Sequence, residues 1–243
     1  MAPNNPYVAF AFGSFLVHSG FDPIGGIREL QRAAKLNPES SHLHLSISDA
    51  HFNSNDPRAA MDAAHYAVQA ADPLTDAKRD SVFVFMRACA YTIRQASDAR
   101  DWNQLAEDYE VLISVTASED PRDLLSEGLD LMLWAEELAS PGVTDSADNY
   151  IAERISTFVS RSKDTRRRYD PAHLERRIGW VESVTDRGFG FIKHAGTRYF
   201  FHAKDCSDSR YFDDLNQGSL LAFMPAAAQG QQNPPAKEIY WVA

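Results

Sequence analysis

The sequence predicts a multidomain α plus β protein, helical in front and stranded behind. Three observations predict it. Asp-Pro and Asp-Ser pairs punctuate the first 160 residues as helix starts, and small or apolar residues recur there 34 positions apart. From residue 187 the pattern changes to Arg187-Gly188-Phe189-Gly190-Phe191-Ile192, in which large side chains alternate with none. Charge divides as well, at about residue 160. Residues 1–160 hold 11 Lys and Arg against 24 Asp and Glu, whereas residues 161–243 hold 13 against 10. A length of 243 residues accommodates one large domain or two small ones.

The helices follow in order. Spacing of apolar residues and start signals predict helices over 6–18, 23–36, 40–54, 57–71, 74–97, 101–117, 121–139 and 146–161. Their starts are marked by Asp22-Pro23, Asp56-Pro57, Asp72-Pro73, Asp120-Pro121 and Asp145-Ser146. Asp caps the orphan amides of a first turn, and Pro at the first helical position has no amide to lose. Gly26, Leu30 and Ala33 recur as Ala60, Ala64 and Ala67, and Pro38 and Pro73 close the two segments. Small residues at these places let paired helices approach closely.

A helical hairpin of 34 residues resembles a tetratricopeptide repeat. Asn55-Asp56-Pro57-Arg58-Ala59-Ala60 looks like its interhelical turn, although the Trp and the Gly-Tyr pair of that family are missing. The later helices are out of register with the period and are helical-repeat-like only. The eight helices make about four hairpins stacked in series over residues 1–160, and such an array leaves a groove for a protein partner. His44, Ser48 and His51, at helical spacing, are candidates to line it, against the simpler reading that they form a solvated face.

Next comes a basic segment, 161–177, with seven cations and the acids Asp164, Asp170 and Glu175. Two readings stay open. Arg166, Arg167 and Arg168 extend a phosphate-binding surface, or they are solvated cations at a helix C-terminus.

In a strand alternate side chains share a face, so Phe189 and Phe191 stand together, as do Phe200 and His202. Paired strands put four flat rings on one surface, flanked by Arg187 and Lys193. Bases stack on such rings while cations follow the phosphates. The competing reading is an ordinary aromatic core strand.

These residues also carry a resemblance. From Ile178 to Ala243 the chain resembles a cold-shock domain, a five-stranded antiparallel OB-type β-barrel. Arg187–Ile192 is similar to that family's first RNA-binding motif and Tyr199-Phe200-Phe201-His202 to its second. Gly179-Trp180-Val181 looks like the start of the first strand. Leu215-Asn216-Gln217-Gly218 looks like the turn into the fourth strand, and Pro235-Ala236-Lys237-Glu238-Ile239 like the entry to the fifth. The resemblance implies that Phe189, Phe191, Phe200 and His202 stack on bases, that Arg187 supports the backbone, and that Phe212 adds a further aromatic. The chain departs from the family at Ser183, where a Trp is usual, at Glu182 for a Lys, and at Ala203 for an aromatic. Those changes are expected to weaken binding or to shorten the footprint.

No catalytic constellation stands out. Arg58 and His65 have a spacing found in a family of helical ribonucleases, yet no nucleophile, base and orienter are legible around them. No phosphate-cradling Gly-rich loop and no metal-ligand spacing is present, so neither cofactor nor metal is expected. Cys89 and Cys206 read as ordinary thiols of a cytoplasmic protein. Neither a signal peptide nor a membrane span is expected. The expected protein is therefore not an enzyme. It is an adaptor with a helical domain at 1–160, a linker at 161–177 and a domain at 178–243 that binds single-stranded RNA or DNA. The alternatives are a scaffold whose barrel binds nucleic acid weakly or not at all, and a ribonuclease using Arg58 and His65.

Overall fold

The computed structural model describes residues 4–73, 75–118, 126–139, 149–228 and 232–242. Helices α1 (Pro6–His18), α2 (Pro23–Leu36), α3 (Ser41–Asn53), α4 (Pro57–Ala70), α5 (Asp76–Ala99), α6 (Trp102–Ser118), α7 (Ser126–Leu138) and α8 (Asn149–Tyr169) come first. A 3₁₀ turn, Pro171–Glu175, leads into β1 (Arg177–Thr185), β2 (Phe189–His194), β3 (Thr197–His202), β4 (Leu220–Pro225) and β5 (Ala236–Trp241). A one-turn helix, α9 (Tyr211–Asp214), lies between β3 and β4.

The Asp-Pro starts work as their chemistry requires. Asp22 accepts a hydrogen bond from Gly25 N and Asp56 one from Ala59 N, each capping a helix whose first residue is Pro. Asp72-Pro73 starts no helix: α5 begins later, after Thr75. Asp120-Pro121 and Asp145-Ser146 lie outside the described residues. Helix α1 packs on α2, α3 on α4, α4 on α5, and both α6 and α7 on α5. The small residues set the first crossing. A Cβ on Gly26 would stand 2.8 Å from Gly13 O, and one on Gly13 would stand 2.8 Å from Gly26 O. Ala60, Ala64 and Ala67 are fully buried in the corresponding positions of α4.

The five strands form one antiparallel sheet in the order β3-β2-β1-β4-β5. It curls until its edges touch. Phe200 bridges Pro235, Cys206 bridges Ile239, and Phe200 N donates to Pro234 O at 3.0 Å. Val181, Ile192, Phe201, Phe212, Leu215, Leu221, Phe223, Ala236 and Ile239 fill the inside.

Segment 161–177 is no loose linker. Helix α8 runs through its first half, and the 3₁₀ turn occupies most of the rest. The outer face of β1 and β4 then packs on the helices: Ile178, Leu220 and Ala222 share a core with Trp134, Leu131 and Ile155. A buried polar network accompanies it. Arg166 donates to Glu136 at 2.7 and 2.8 Å, His173 Nε2 lies 2.8 Å from Asp130 Oδ1, and Arg176 meets the same carboxylate at 3.1 Å. The Arg176 guanidinium also lies 4.2 Å from the Tyr240 ring centre. Among the described residues, no helix is long and apolar enough to cross a membrane.

Candidate nucleic-acid interface

The helices cover Ile178, Leu220 and Ala222 on the outer face of β1 and β4. The part made by β2 and β3 carries the rings. Phe189 pairs with His202 and Phe191 with Phe200 in the antiparallel register, so all four side chains stand on one side in two adjacent rows. Phe189 and Phe200 ring centres are 5.8 Å apart, Phe191 and Phe200 5.8 Å, and Phe189 and Phe191 6.4 Å. These four are half-buried, whereas Phe201, one residue on, is fully sealed inside. The inter-ring angles of 36°, 68° and 88° make a stepped surface, not a stacked column. All four side chains remain partly exposed, and the Arg198 guanidinium lies over the Phe191 ring.

The backbone around the rings is fixed by tight turns. Gly188 has a φ of +77°, a left-handed conformation that other residues take up at a cost, and its N–H donates to Thr185 O at 3.2 Å. Gly190 serves the inner face. A Cβ there would stand 2.6 Å from the Phe201 ring and 2.7 Å from Ser183 O. Glycine at 190 is thus required by the ring beneath it. Gly190→Ala is expected to destabilise the sheet by about 1–3 kcal/mol through overpacking, read as a lower urea midpoint. An unchanged midpoint would show that Phe201 can move aside.

His202 also closes the strand. Lys204 N donates to its Nδ1 at 3.2 Å, which leaves Nε2 to carry the proton of the neutral ring. Asp205 accepts from His202 N at 3.1 Å and from Lys237 Nζ at 2.6 Å, pinning this corner to β5. Burial, with the Asp205 charge beside it, pushes the Cys206 thiol up to about 11, and burial raises Cys89 as well. Both stay protonated near neutral pH.

No protein family and no curated protein matches this chain. The solved structures to which the chain is similar include "Crystal structure of MamA protein" and "Crystal structure of MamA", each at 14% identity and a TM-score of 0.37. The first alignment covers 68% of this chain and 75% of that one, the second 69% and 81%. At that level nothing carries over to this chain.

Several expected site residues lie elsewhere. Phe212 is 6% exposed, with its ring 5.8 Å from Phe201, so it belongs to the core and offers no face to a base. Arg166 is 2% exposed and held by Glu136, which removes it from any phosphate surface. Arg167 and Arg168 are exposed and line a cleft with Ile113 and Ala117 of α6, to which none of the four rings contributes. Arg187, two residues before β2, and Lys193, within it, are both exposed.

Two residues near the rings were not singled out from sequence. The Arg198 guanidinium lies 3.7 Å from the Phe191 ring centre and pairs with Glu182 at 2.5 Å. Its position was readable, since Arg198, Phe200 and His202 alternate along one strand. Trp180 is the second. A bulge at Glu182 shifts the register, so Val181 faces Ile192 but Ser183 faces Phe191. Trp180 therefore joins the outer face, opposite Lys193. Ser183 stands opposite Phe191 and puts a hydroxyl where a third ring would extend the row.

In the helical part, His44, Ile47, His51 and Tyr66 line a cleft of about 780 Å³ between α2, α3 and α4. Ser48 does not join them: it is buried and donates to Ala60 O at 2.8 Å. Arg58 is engaged in a bidentate pair with the buried Asp108, at 2.6 and 2.8 Å, which ties α4 to α6. His65 sits on the same helix with its ring 5.6 Å from Phe85. Among the described residues, no group of three or more His, Cys, Asp or Glu is placed to hold a metal ion.

Proposed function

We propose that the curled sheet is a cold-shock-like, OB-type barrel that binds single-stranded RNA or DNA by stacking, and that the helical array docks a protein partner. The chain would then be an adaptor between the two. One observation carries the reading: Phe189, Phe191, Phe200 and His202 occupy adjacent rows on the part of the outer face that the helices leave open. Bases contribute about 1–3 kcal/mol each on such rings. The strand order and the meeting of the edge strands support the barrel assignment. The cleft beside His44 and Tyr66 supports docking on the helices. Backbone phosphates would meet Arg187, Lys193 and Arg198.

A second reading is a protein-interaction scaffold whose barrel has lost its nucleic acid. It is favoured by Glu182, which sets a negative charge beside Phe191 and holds the guanidinium that lies over that ring.

Titration of labelled oligo-dT and oligo-U into the full chain separates them. Binding is expected, with log K falling against log salt at a slope near −2. Two or three phosphate contacts on a single strand, at about 0.7 each, give that value. A slope of zero would remove the assigned cations from the interface. No complex at tens of micromolar protein would leave the scaffold.

A further inference from the structure

The rings on β2 and β3 end at Phe191 and Phe200, but the row beyond them continues toward the helices. In the sheet register Arg198 lies opposite Lys193, and Lys193 lies opposite Trp180. Cation, cation and indole thus stand side by side across β3, β2 and β1, one row from the Phe191–Phe200 pair. Over the indole, from the other half of the molecule, lies Arg94 of α5, with its guanidinium carbon 4.9 Å from the ring centre.

Trp180 is unlike its neighbours on this face. Ile178, Leu220 and Ala222 are 0–4% exposed because the helices cover them, whereas Trp180 remains 38% exposed. An indole used only to seal the junction would be covered as they are. Leaving this much apolar ring in water costs roughly 25 cal/mol for each Å² not buried. The guanidinium over it is only loosely committed. Arg94 meets Asp98 at 3.5 Å, and both side chains are exposed, an ion pair of about 0–1 kcal/mol that a phosphate can replace.

We propose that Trp180 and Arg94 form a further binding position for the same single strand, at which it passes from the sheet onto the helical part. The proposal rests on the nucleic-acid reading above. Rings along β2 recur once per two residues, about 7 Å, and the observed Phe189–Phe191 separation is 6.4 Å. Trp180 lies one such row further on and one strand across, on β1 opposite Lys193. A base leaving Phe191 crosses Lys193, and the next stacks on the indole, with its phosphate between Lys193 and Arg94. The two carboxylates of the row, Glu182 and Asp98, are already paired with Arg198 and Arg94. The ligand is a single strand long enough to leave the barrel. Strands confined to the four rings do not reach this position.

Oligo-dT of about four and about eight nucleotides tests this with the full-length protein. Wild type is expected to bind the longer strand about tenfold more tightly, beyond the statistical gain from extra registers. Trp180→Ala should bind the short strand as wild type does and lose that tenfold increment, and Trp180→Phe should keep most of it. Indole emission should fall on addition of the long strand only, and that fall should vanish in Trp180→Phe, where Trp102, Trp134 and Trp241 remain.

If Trp180→Ala binds both lengths like wild type while Phe189→Ala/Phe191→Ala does not, the crossing is refuted and the platform stands. Equal weakening of both lengths, together with a lower melting temperature, would assign Trp180 to the junction alone and also refute it. If the Phe double variant binds the short strand normally, the platform itself fails.

Discussion

Truncating Phe189 and Phe191 together to Ala should lower the affinity for oligo-dT or oligo-U at least tenfold. Two lost stacks at about 1–3 kcal/mol each amount to roughly thirtyfold even at the lower end, since about 1.4 kcal/mol is a factor of ten. The lower bound is set at tenfold because Phe200 and His202 remain and take up part of the strand. The loss should not arise from unfolding. Both rings are half-buried on the outer face, while Val181, Ile192, Phe201 and Phe223 hold the inside. Truncation there costs less than the ~3–5 kcal/mol of a fully buried Phe. The helical core contains neither residue, so far-UV ellipticity near 222 nm and its thermal transition should be preserved. Arg198 provides an internal check. With the Phe191 ring gone its guanidinium loses its cation–π partner and keeps Glu182, so Arg198 alone cannot sustain binding. A folded double variant with unchanged affinity would end the stacking account.

Much of the helical part was legible because its signals are local. Helices α1 and α2 lie where the spacing put them, and Asp22 and Asp56 cap as their positions imply. Asp72-Pro73 misled because a good cap is no helix if the next residues do not continue it, and α5 starts only at Asp76. The face shared by Phe189 and Phe191 followed from the two-residue period of a strand, and their pairing with His202 and Phe200 matches it.

What sequence could not show depends on long-range events. Alternation along β1 puts Trp180 on the face opposite Ser183, and only the bulge at Glu182 brings them together. The burial of Phe212 depends on how α9 folds back over Phe201. Arg166, Arg167 and Arg168 read as one basic run. On a helix, consecutive residues point about 100° apart, so one of them turns inward to Glu136 while the next two face solvent. Gly190 shows the same limit: its neighbours explain why β2 alternates, but a ring from β3 explains why the small residue must be glycine.

The inward turn of Arg166 has a large consequence for stability. Glu136→Ala should cost about 3–5 kcal/mol, because it strands a buried guanidinium. The carboxylate takes hydrogen bonds from Arg166 Nε and Nη2 at 2.8 and 2.7 Å and from Ser162 Oγ at 2.6 Å, with both side chains almost wholly out of solvent. The remaining Arg166 amine reaches His173 O at 3.1 Å, and His173 in turn meets Asp130. Removing Glu136 therefore unsettles the turn that feeds β1, and the sheet should melt with the helices at a lower urea midpoint. Burying two charges is itself expensive, so the pair as a whole contributes little compared with apolar residues of similar size. Glu136→Leu combined with Arg166→Met should accordingly recover most of the loss. That pattern, severe for one change and mild for both, belongs to a buried pair and to no phosphate contact. The combined variant should also leave the salt slope of oligonucleotide binding unaltered. A slope that flattens in the combined variant would return Arg166 to the binding surface. A single variant as stable as wild type would mean that water reaches this pair and solvates the Arg166 guanidinium.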